Sequence, residues 1–347
     1  MARLCLETAI GQLTVCAVTV TYGDRWHLLR RVLERLCAWP AVARVIIVDN
    51  GATYDLRGRT AGAFGLRVEV VGSGRNEGSA RGYAIGMKAA REAVDTEFVW
   101  LLDDDNFPES GALEALAEAW RELSAGQASD RLALLALRTD RPYLVQIAAG
   151  ADPRRIFPKA NSFLDFHAAD APRRVWRKLF RRRPALTTVK SRSVKIPYGV
   201  YGGLLFHKTL LDRVGYPDES YFLYGDDYDF TTRISDGGAV YLVAGSRIDD
   251  LDPSWHVSST ARRVTVFQNL SQAPDFRVYC TVRSNVIFVR RHLLTRPWVW
   301  QLNRLAYLAI LRAFMWATGR RDRYDLIARA VSDGCSGRLE KVGCHVW

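Results

Sequence analysis

The chain has 347 residues, of which 48% are hydrophobic and 25% are charged, and its formal net charge is +12. These values are ordinary for a globular protein with a large core, and we find neither a low-complexity tract nor an internal repeat. The composition therefore excludes fibrous and intrinsically disordered chains.

The positive charge is concentrated in two segments. Residues 173–195 hold ten Lys or Arg and no acid, and residues 261–347 hold fifteen against five acids. The rest of the chain sums to −8. This asymmetry favours an anionic partner, either a membrane surface or a nucleic acid, and solvated charge kept for solubility is the alternative. Trp176, Leu179 and Phe180 among the arginines suit a peripheral membrane contact.

The apolar pattern predicts neither a signal peptide nor a membrane-spanning helix. Glu7 and Gln12 interrupt the apolar start of the chain. The most apolar stretch, residues 298–316, contains four polar side chains: Gln301, Asn303, Arg304 and Arg312. The six cysteines show no CxxC pair and no metal-type spacing, which favours a reducing compartment.

Strands and helices alternate along the first half of the chain. Apolar runs predict strands at 13–21, 45–48, 66–71, 98–102 and 132–137, and at 239–243 further on. Helical spacing predicts helices at 26–39, at 79–94 and from Pro108 to about Leu123. Alternation at this spacing predicts an α/β fold with a doubly wound, mostly parallel sheet of Rossmann-like type.

Polar residues follow several of these strands where each one ends: Tyr22, Asp49, Arg75, Asn76, and Asp103 to Asp105. In such sheets ligands bind beyond the carboxyl ends of the strands. Because side chains alternate along an extended segment, Asp103 and Asp105 are predicted to share one side and Asp104 to point away. Two carboxylates in that arrangement suit a divalent cation and the phosphate it carries. An acidic turn that caps the following helix is the alternative.

A glycine-rich stretch, GSGRNEGSARGYAIG, occupies residues 72–86. It has no P-loop lysine and no regular GxGxxG spacing, which excludes a standard ATP or dinucleotide cradle. Either it is a flexible loop, or its backbone approaches a ligand closely with Arg75 and Arg81 as phosphate partners.

The second half of the predicted site begins at residues 194–206. The Gly202–Gly203 pair there allows close backbone approach. Asp226 and Asp227 lie where a loop enters a helix, so Asp226 can cap that helix while the helix N-terminus keeps a carboxylate ionised for use as a general base. His256, alone, is more often a structural hydrogen-bonding residue than a ligand. From about Phe276 the chain is helical, basic and rich in aromatic residues, which suits packing, a membrane interface or self-association.

Six motifs, taken in order, resemble the family 2 inverting glycosyltransferases with the GT-A fold, in the galactofuranosyl- and rhamnosyltransferase-like branch. They are VTVTYGDR, VIIVDNGA, RNEGSARGYAIGM, LDDDNFPESGALEAL, YGGLLFHKTLLDRVGYPDESYFLYGDDYDFTTRI and FRVYCTVRSNVIFVRRH, and the resemblance covers roughly residues 13 to 295. Two departures, Gly23-Asp24 after the first-strand tyrosine and Ser79 to Arg81 in the glycine motif, bear on the identity of the sugar nucleotide.

The resemblance implies roles for several of these residues. Donor binding would use Thr21, Tyr22, Asp49, Arg75, Asn76, Arg81, Asp103 and Asp104. Asp103 and Asp105 match the DxD positions and His256 a metal-binding histidine, so the three would hold Mn²⁺ or Mg²⁺. Asp227 matches the carboxylate taken as catalytic base, and Asp226 beside it would orient the acceptor hydroxyl.

The predicted function is metal-dependent inverting hexosyl transfer in cell-surface glycan synthesis. We expect galactofuranose or rhamnose to move from UDP or dTDP to a lipid-linked or polysaccharide acceptor, at the cytoplasmic face of the cell membrane. The predicted domains are a GT-A catalytic domain at 1–262, with a basic insertion near 170–195, and a helical region at 263–347. A sugar-nucleotide nucleotidyltransferase and a non-enzymatic membrane- or nucleic-acid-binding module are the alternatives. The number of subunits stays open.

Overall fold

The computed structural model describes residues 13–170, 192–252 and 266–338. Their contacts divide the chain into two compact units. The first contains residues 13–153, 192–219 and 226–252 of this part, and the second contains residues 154–170, 220–225 and 266–338. The predicted boundary after residue 262, most of the predicted basic insertion, and His256 lie outside the described residues.

The first unit is built on a mixed sheet of nine strands in the described ranges: β1 (Val15–Gly23), β2 (Val42–Ala52), β3 (Val68–Val71), β4 (Phe98–Asp103), β5 (Asn106–Pro108), β6 (Leu132–Arg138), β7 (Ser193–Ile196), β8 (Leu204–His207) and β9 (Ala239–Asp250). Their order is β3-β2-β1-β4-β8-β6-β9-β5, and β7 also pairs with β9. The pairs among β1 to β4 and the β6–β9 pair are parallel. The mostly parallel GT-A-type sheet is thus confirmed.

Helices of the first unit connect the strands: α1 (Trp26–Cys37), α2 (Leu56–Phe64), α3 (Ser79–Glu92), α4 (Ala112–Ser124), α5 (Pro142–Ala148), α6 (Pro153–Ile156, which ends beyond this unit), α7 (Leu210–Val214) and α8 (Asp226–Gly237). Helix α1 buries Leu29, Val32, Leu33 and Leu36, which recur at helical spacing. Helix α3 instead uses glycine to approach the sheet, because a Cβ atom at Gly82 would lie 2.8 Å from Val20. This close packing fixes α3 behind β1.

Three details differ from the expectation. Asn106–Pro108 forms strand β5, antiparallel to the end of β9, where a helix was predicted to begin. That helix begins only at Ala112, because the pairing with β9 uses the backbone of the preceding residues. Strand β8 lies antiparallel between β4 and β6, and β9 continues to Asp250 rather than ending at Val243.

The second unit is helical in its described part. It contains α9 (Val266–Gln272), α10 (Asp275–Phe288), a π-helical turn at Val289–Leu293, α11 (Pro297–Ala317) and α12 (Arg321–Ser336). The buried Asn161 side chain ties the start of α11 to residues 154–170, because its Oδ1 accepts from the backbone N–H groups of Thr295 and Arg296 at 2.8 and 2.7 Å. Among the helices of the described residues, none is long and apolar enough to cross a membrane.

Candidate active site

Four acids collect where β4 and β9 end: Asp103, Asp104, Asp105 and Asp250, hereafter the strand-end acids. Strand β4 ends at Asp103, and Asp104 and Asp105 form a turn instead of continuing the extended chain. The expected division holds in part. Asp104 accepts from Thr21 Oγ1 of β1, whereas the Asp103 carboxylate accepts from Tyr83 and Arg138. Asp105 accepts from Asn106 Nδ2 but shares the Arg25 guanidinium with Asp104.

Arg25 holds the turn from the side of β1. Its Nε donates to Asp104 Oδ1 at 2.9 Å, and its second terminal nitrogen donates to Asp105 Oδ2 at 2.7 Å. The remaining nitrogen reaches Asp252 Oδ2 at 3.2 Å. Thr21 Oγ1 adds a 2.7 Å hydrogen bond to the buried Asp104. Three carboxylates therefore share the single positive charge of Arg25.

Arg138 plays the same part on the other side of β4. The side chain is 1% exposed and lies at the end of β6. It donates to Asp103 at 3.2 Å and to Asp140 at 3.2 Å, and it forms an ion pair with Asp250. A fully buried arginine with three acids forms a network in which every charge has an opposite charge beside it.

Gly202 explains why residues 199–203 lie so near these groups. A Cβ atom at Gly202 would be 2.9 Å from Asp103 Oδ2 and would clash with Arg138 and Asn106. The close backbone approach predicted for the Gly202–Gly203 pair is therefore an approach to the strand-end acids. Any larger residue at 202 would displace the Arg138 network.

The predicted metal residues come together in part. Asp103 and Asp105 offer carboxylate oxygens, the donors that Mg²⁺ and Mn²⁺ prefer, and the negative charge of Asp103 contributes to raising the pKa of Asp105. Within the described ranges no three His, Cys, Asp or Glu side chains are grouped to hold a metal ion. Two carboxylates suit a hard cation but are an incomplete ligand set by themselves, and His256, the third predicted ligand, lies outside the described residues.

The residues predicted to bind the donor line the ends of β1 and β2. Tyr22 is 42% exposed, and the Arg25 guanidinium carbon lies 5.4 Å from its ring centroid. Asp49 Oδ1 accepts from the backbone N–H groups of Gly51 and Ala52 at 3.1 and 2.9 Å, so this carboxylate shapes its own turn. Its Oδ2 faces Gly74, where a Cβ atom would lie 3.7 Å from it.

The glycine-rich segment beyond β3 leaves its predicted phosphate partners at the surface. Arg75 and Asn76 are exposed, and Asn76 Oδ1 accepts from the backbone N–H of Gly78 at 3.1 Å. Arg81 lies on α3 and pairs with Glu77 at 3.2 Å. The sequence pattern therefore located an ordered turn beside β2, and Arg75 is the more accessible of its two arginines.

A second acid pair, Asp226 and Asp227, begins helix α8; we call these two residues the helix acids. Asp226 is 2% exposed, and its Oδ2 accepts from Ser79 Oγ at 3.1 Å. Asp227 Oδ1 accepts from the backbone N–H of Tyr228 at 2.8 Å. In the described part of the chain, neither helix acid forms an ion pair with an arginine or lysine. Both sit at the positive end of the helix, as predicted.

Burial dominates the electrostatics of the helix acids. It raises the pKa of Asp227 to about 7, with the charge of Asp103 acting in the same direction. Burial and the charge of Asp227 raise the pKa of Asp226 well above its ordinary value. The charge of Asp103 thus reaches Asp227, which indicates that the helix acids and the strand-end acids lie near each other in the first unit.

Two stacked tyrosines lie between these groups. Tyr83 donates to Asp103 Oδ1 at 2.7 Å, and its ring centroid is 4.3 Å from that of Tyr201. The charges of Asp226 and Asp227 both raise the pKa of Tyr201. The two buried rings are thus in contact with each other, and Tyr83 also contacts Asp103 while Tyr201 lies near the helix acids.

Sequence reasoning missed the residues that hold the acids in place: Arg25, Tyr83, Arg138 and Asp250. Arg138 ends an apolar strand, which is the same signal that drew attention to Asp103, and applying that rule to β6 would have found it. Nothing local marks Tyr83 or Arg25, because their partners lie 20 and 79 residues away along the chain.

Comparison with known proteins agrees with this architecture. Residues 16–134 match the model of glycosyl transferase family 2. The chain is 28% identical over 230 residues to galactofuranosyltransferase GlfT1 of Mycolicibacterium smegmatis, which covers 65% of this chain and 66% of that protein. It is 29% identical over 232 residues to the GlfT1 of Mycobacterium tuberculosis strain H37Rv, with the same coverage. The alignments thus span just under two thirds of the relatives' own length.

A solved structure supports the fold. TarS 1–349 of Staphylococcus aureus, crystallised with UDP-GlcNAc, superposes with a TM-score of 0.51 at 14% sequence identity and covers 93% of this chain and 80% of that one. At this identity the likeness concerns the fold alone. Together with the matched family model, it shows that the chain contains a glycosyltransferase family 2 domain with the GT-A fold, similar to the galactofuranosyltransferases.

Proposed function

We propose that this chain is a metal-dependent inverting glycosyltransferase that moves galactofuranose or rhamnose from a nucleoside diphosphate to a lipid-linked or polysaccharide acceptor in cell-surface glycan synthesis. The observation that carries the proposal is the presence of two acid groups in one unit, with arginine ion pairs at the strand ends and no ion pair at α8 in the described residues, where the charge of Asp103 still acts on Asp227. The similarity to galactofuranosyltransferases favours UDP-galactofuranose among the two donors.

Inverting transfer needs a base on the face of the sugar opposite the leaving group. Asp227 suits that role, because a carboxylate with a pKa of about 7 is both available as a base near neutral pH and basic enough to take a proton from a hydroxyl. Asp226, kept neutral by burial beside it, limits the pair to one negative charge and can hydrogen-bond the acceptor hydroxyl. The proton thus passes from the acceptor oxygen to Asp227 as the new glycosidic bond forms.

The leaving nucleoside diphosphate needs positive charge at the strand ends. Asp103 and Asp105 would hold Mg²⁺ or Mn²⁺, which when bound neutralises the charge that develops on the diphosphate. The Arg25 and Arg138 ion pairs fix both carboxylates in position before the donor arrives. Thr21, Tyr22, Asp49 and Asn76 line the strand ends where the nucleobase and ribose would lie, and Arg75 is the accessible cation beside them.

Donor hydrolysis tests this proposal without knowledge of the acceptor. The full chain is incubated with UDP-galactofuranose, dTDP-rhamnose, UDP-glucose and GDP-mannose, each with Mn²⁺, with Mg²⁺ and with EDTA, and release of the nucleoside diphosphate is measured. We expect release from UDP-galactofuranose or dTDP-rhamnose that depends on the metal. Release from neither, or equal release in EDTA, would contradict the donor or the metal part of the proposal respectively.

A further inference from the structure

The second unit presents an apolar helix face to solvent. Helix α11 buries one face, which includes Trp300, Tyr307 and Leu311. Its opposite face carries four large, exposed apolar side chains, the α11 stripe: Trp298 (64% exposed), Leu302 (57%), Leu305 (58%) and Trp316 (49%). They follow each other by four, three and eleven residues, so at about 3.6 residues per turn they lie on one line along the helix.

Arginines surround this stripe. Residues 276–321 contain nine arginines and no Asp or Glu. Arg296 and Arg320 are exposed just beyond the two ends of α11. The guanidinium carbons of Arg312 and Arg321 lie 4.8 and 4.7 Å from the ring centroid of Trp316. The exposed apolar surface of α11 is therefore flanked mainly by cations, and the first exposed acid after them is Asp322 in α12.

The charges around the α11 stripe indicate which kind of partner binds it. A symmetric contact between two copies would bring the arginines of both chains together, with no acid in residues 276–321 to pair with them. An anionic lipid surface supplies that negative charge, and tryptophan near both ends with arginine beside it is the arrangement that places a helix in the plane of a bilayer interface. The two tryptophans are about 27 Å apart along the helix, long enough to lie flat over several lipid headgroups.

We propose that the α11 stripe docks the protein on the interface of a bilayer that contains anionic lipids. The apolar side chains insert at the boundary between headgroups and acyl chains, and the arginines bind lipid phosphates. The inference depends on the second unit alone and stands or falls separately from the glycosyl-transfer proposal.

Vesicle co-sedimentation of the full chain tests it. Binding is measured on vesicles of phosphatidylcholine alone and of phosphatidylcholine mixed with phosphatidylglycerol, at low and at high salt. We expect binding to the mixed vesicles that weakens with salt, because the arginine contribution is screened. The double variant Leu302→Ser/Leu305→Ser should lower the partition coefficient about tenfold or more, and each of Arg312→Gln and Arg321→Gln should lower it about fivefold.

A matched control is Leu66→Ser, which removes a fully exposed leucine from the first unit and should leave binding unchanged. All substituted positions are exposed, and an unchanged thermal unfolding curve verifies the fold of each variant. Equal binding of the wild-type chain to neutral and mixed vesicles, or wild-type binding by the double leucine variant, would overturn the proposal. A dimer in lipid-free equilibrium sedimentation that this variant converts to monomer would assign the stripe to self-association and would also overturn it.

Discussion

The strand-end acids and the helix acids differ in what compensates their charge. Arg25 and Arg138 form ion pairs with every one of the strand-end acids. In the described residues the helix acids form no ion pair: Asp226 accepts from the Ser79 hydroxyl and Asp227 from the Tyr228 backbone N–H, and the charge of Arg141 opposes the rise in the pKa of Asp227. The same residue type is therefore held in two ways, with arginine partners at the strand ends and without an ion pair at α8. Burial raises the pKa of Asp104, Asp250 and Asp227 alike to about 7, so the arginine partners, and not the direction of the pKa shift, distinguish the two groups.

Substitution of a helix acid should have the largest effect, and that effect is on catalysis. Asp227→Asn keeps the hydrogen bond from Tyr228 but cannot accept a proton, so the transfer rate should fall by about 10²–10⁴. Nucleotide affinity measured by calorimetry should stay unchanged, since the strand-end acids are intact. In the wild-type chain kcat/KM should fall as the pH drops below about 7, where Asp227 becomes protonated. Turnover of the variant near the wild-type rate would exclude Asp227 as the base.

Removing an arginine partner of the strand-end acids should lower the stability of the fold. Arg138→Met leaves Asp103, Asp140 and Asp250 without their shared buried cation, which should cost about 3–5 kcal/mol of unfolding free energy at neutral pH. The deficit should shrink as the pH falls, because protonation removes the uncompensated charge. Urea denaturation at several pH values measures both effects.

A control for that variant is available on the surface of the same unit. Arg192 is 79% exposed and pairs with Glu118 and Glu122. Arg192→Met should change stability by less than about 1 kcal/mol. Equal losses in the two variants would show that the Arg138 network contributes no more than an ordinary surface ion pair.

We expect metal binding to depend on the strand-end acids and not on the helix acids. Asp105→Asn removes one negative charge and one oxygen donor beside Asp103, so the gain in UDP affinity caused by Mn²⁺ should fall about tenfold to hundredfold. Asp227→Asn should keep the full gain, which makes it the matched control. Isothermal titration with UDP, in Mn²⁺ and in EDTA, gives both values. An undiminished effect of Mn²⁺ in Asp105→Asn would remove this residue from the metal site.

Much of the fold was predictable because its central strands are continuous apolar runs. Phe98–Asp103 and Leu132–Arg138 are buried on both faces, and such runs are visible in the sequence. The antiparallel direction of β8 was not predictable, since its neighbours lie about a hundred and about seventy residues earlier in the chain. Pairing over such distances is decided by packing of the whole sheet and leaves no local pattern.

The site was predictable only where its residues follow a strand. Asp103 to Asp105 and Asp226 to Asp227 stand out as acids at element ends, so their grouping was expected from topology. Their compensating partners did not stand out: a buried arginine such as Arg138 has the same local sequence appearance as an exposed one. Burial, which raises pKa values in both acid groups, is a property of the folded chain that a sequence pattern expresses weakly.

The smallest effect expected is a change in folding stability, and it follows from the raised pKa of Asp227. Because the folded chain raises the pKa of Asp227 to about 7, it binds the proton more tightly than the unfolded chain does, so ionisation of Asp227 opposes folding above that pH. The penalty is absent near pH 4, grows between pH 4 and 7 and is constant above. Asp227→Asn should therefore stabilise the fold by about 2 kcal/mol at pH 8 and hardly at all at pH 4. Asp212→Asn should give no such gain at pH 8, because the Arg91 ion pair lowers the pKa of Asp212 and its ionisation therefore favours folding. Urea midpoints at the two pH values decide the matter, and a destabilised Asp227→Asn at pH 8 would mean that its carboxylate is compensated after all.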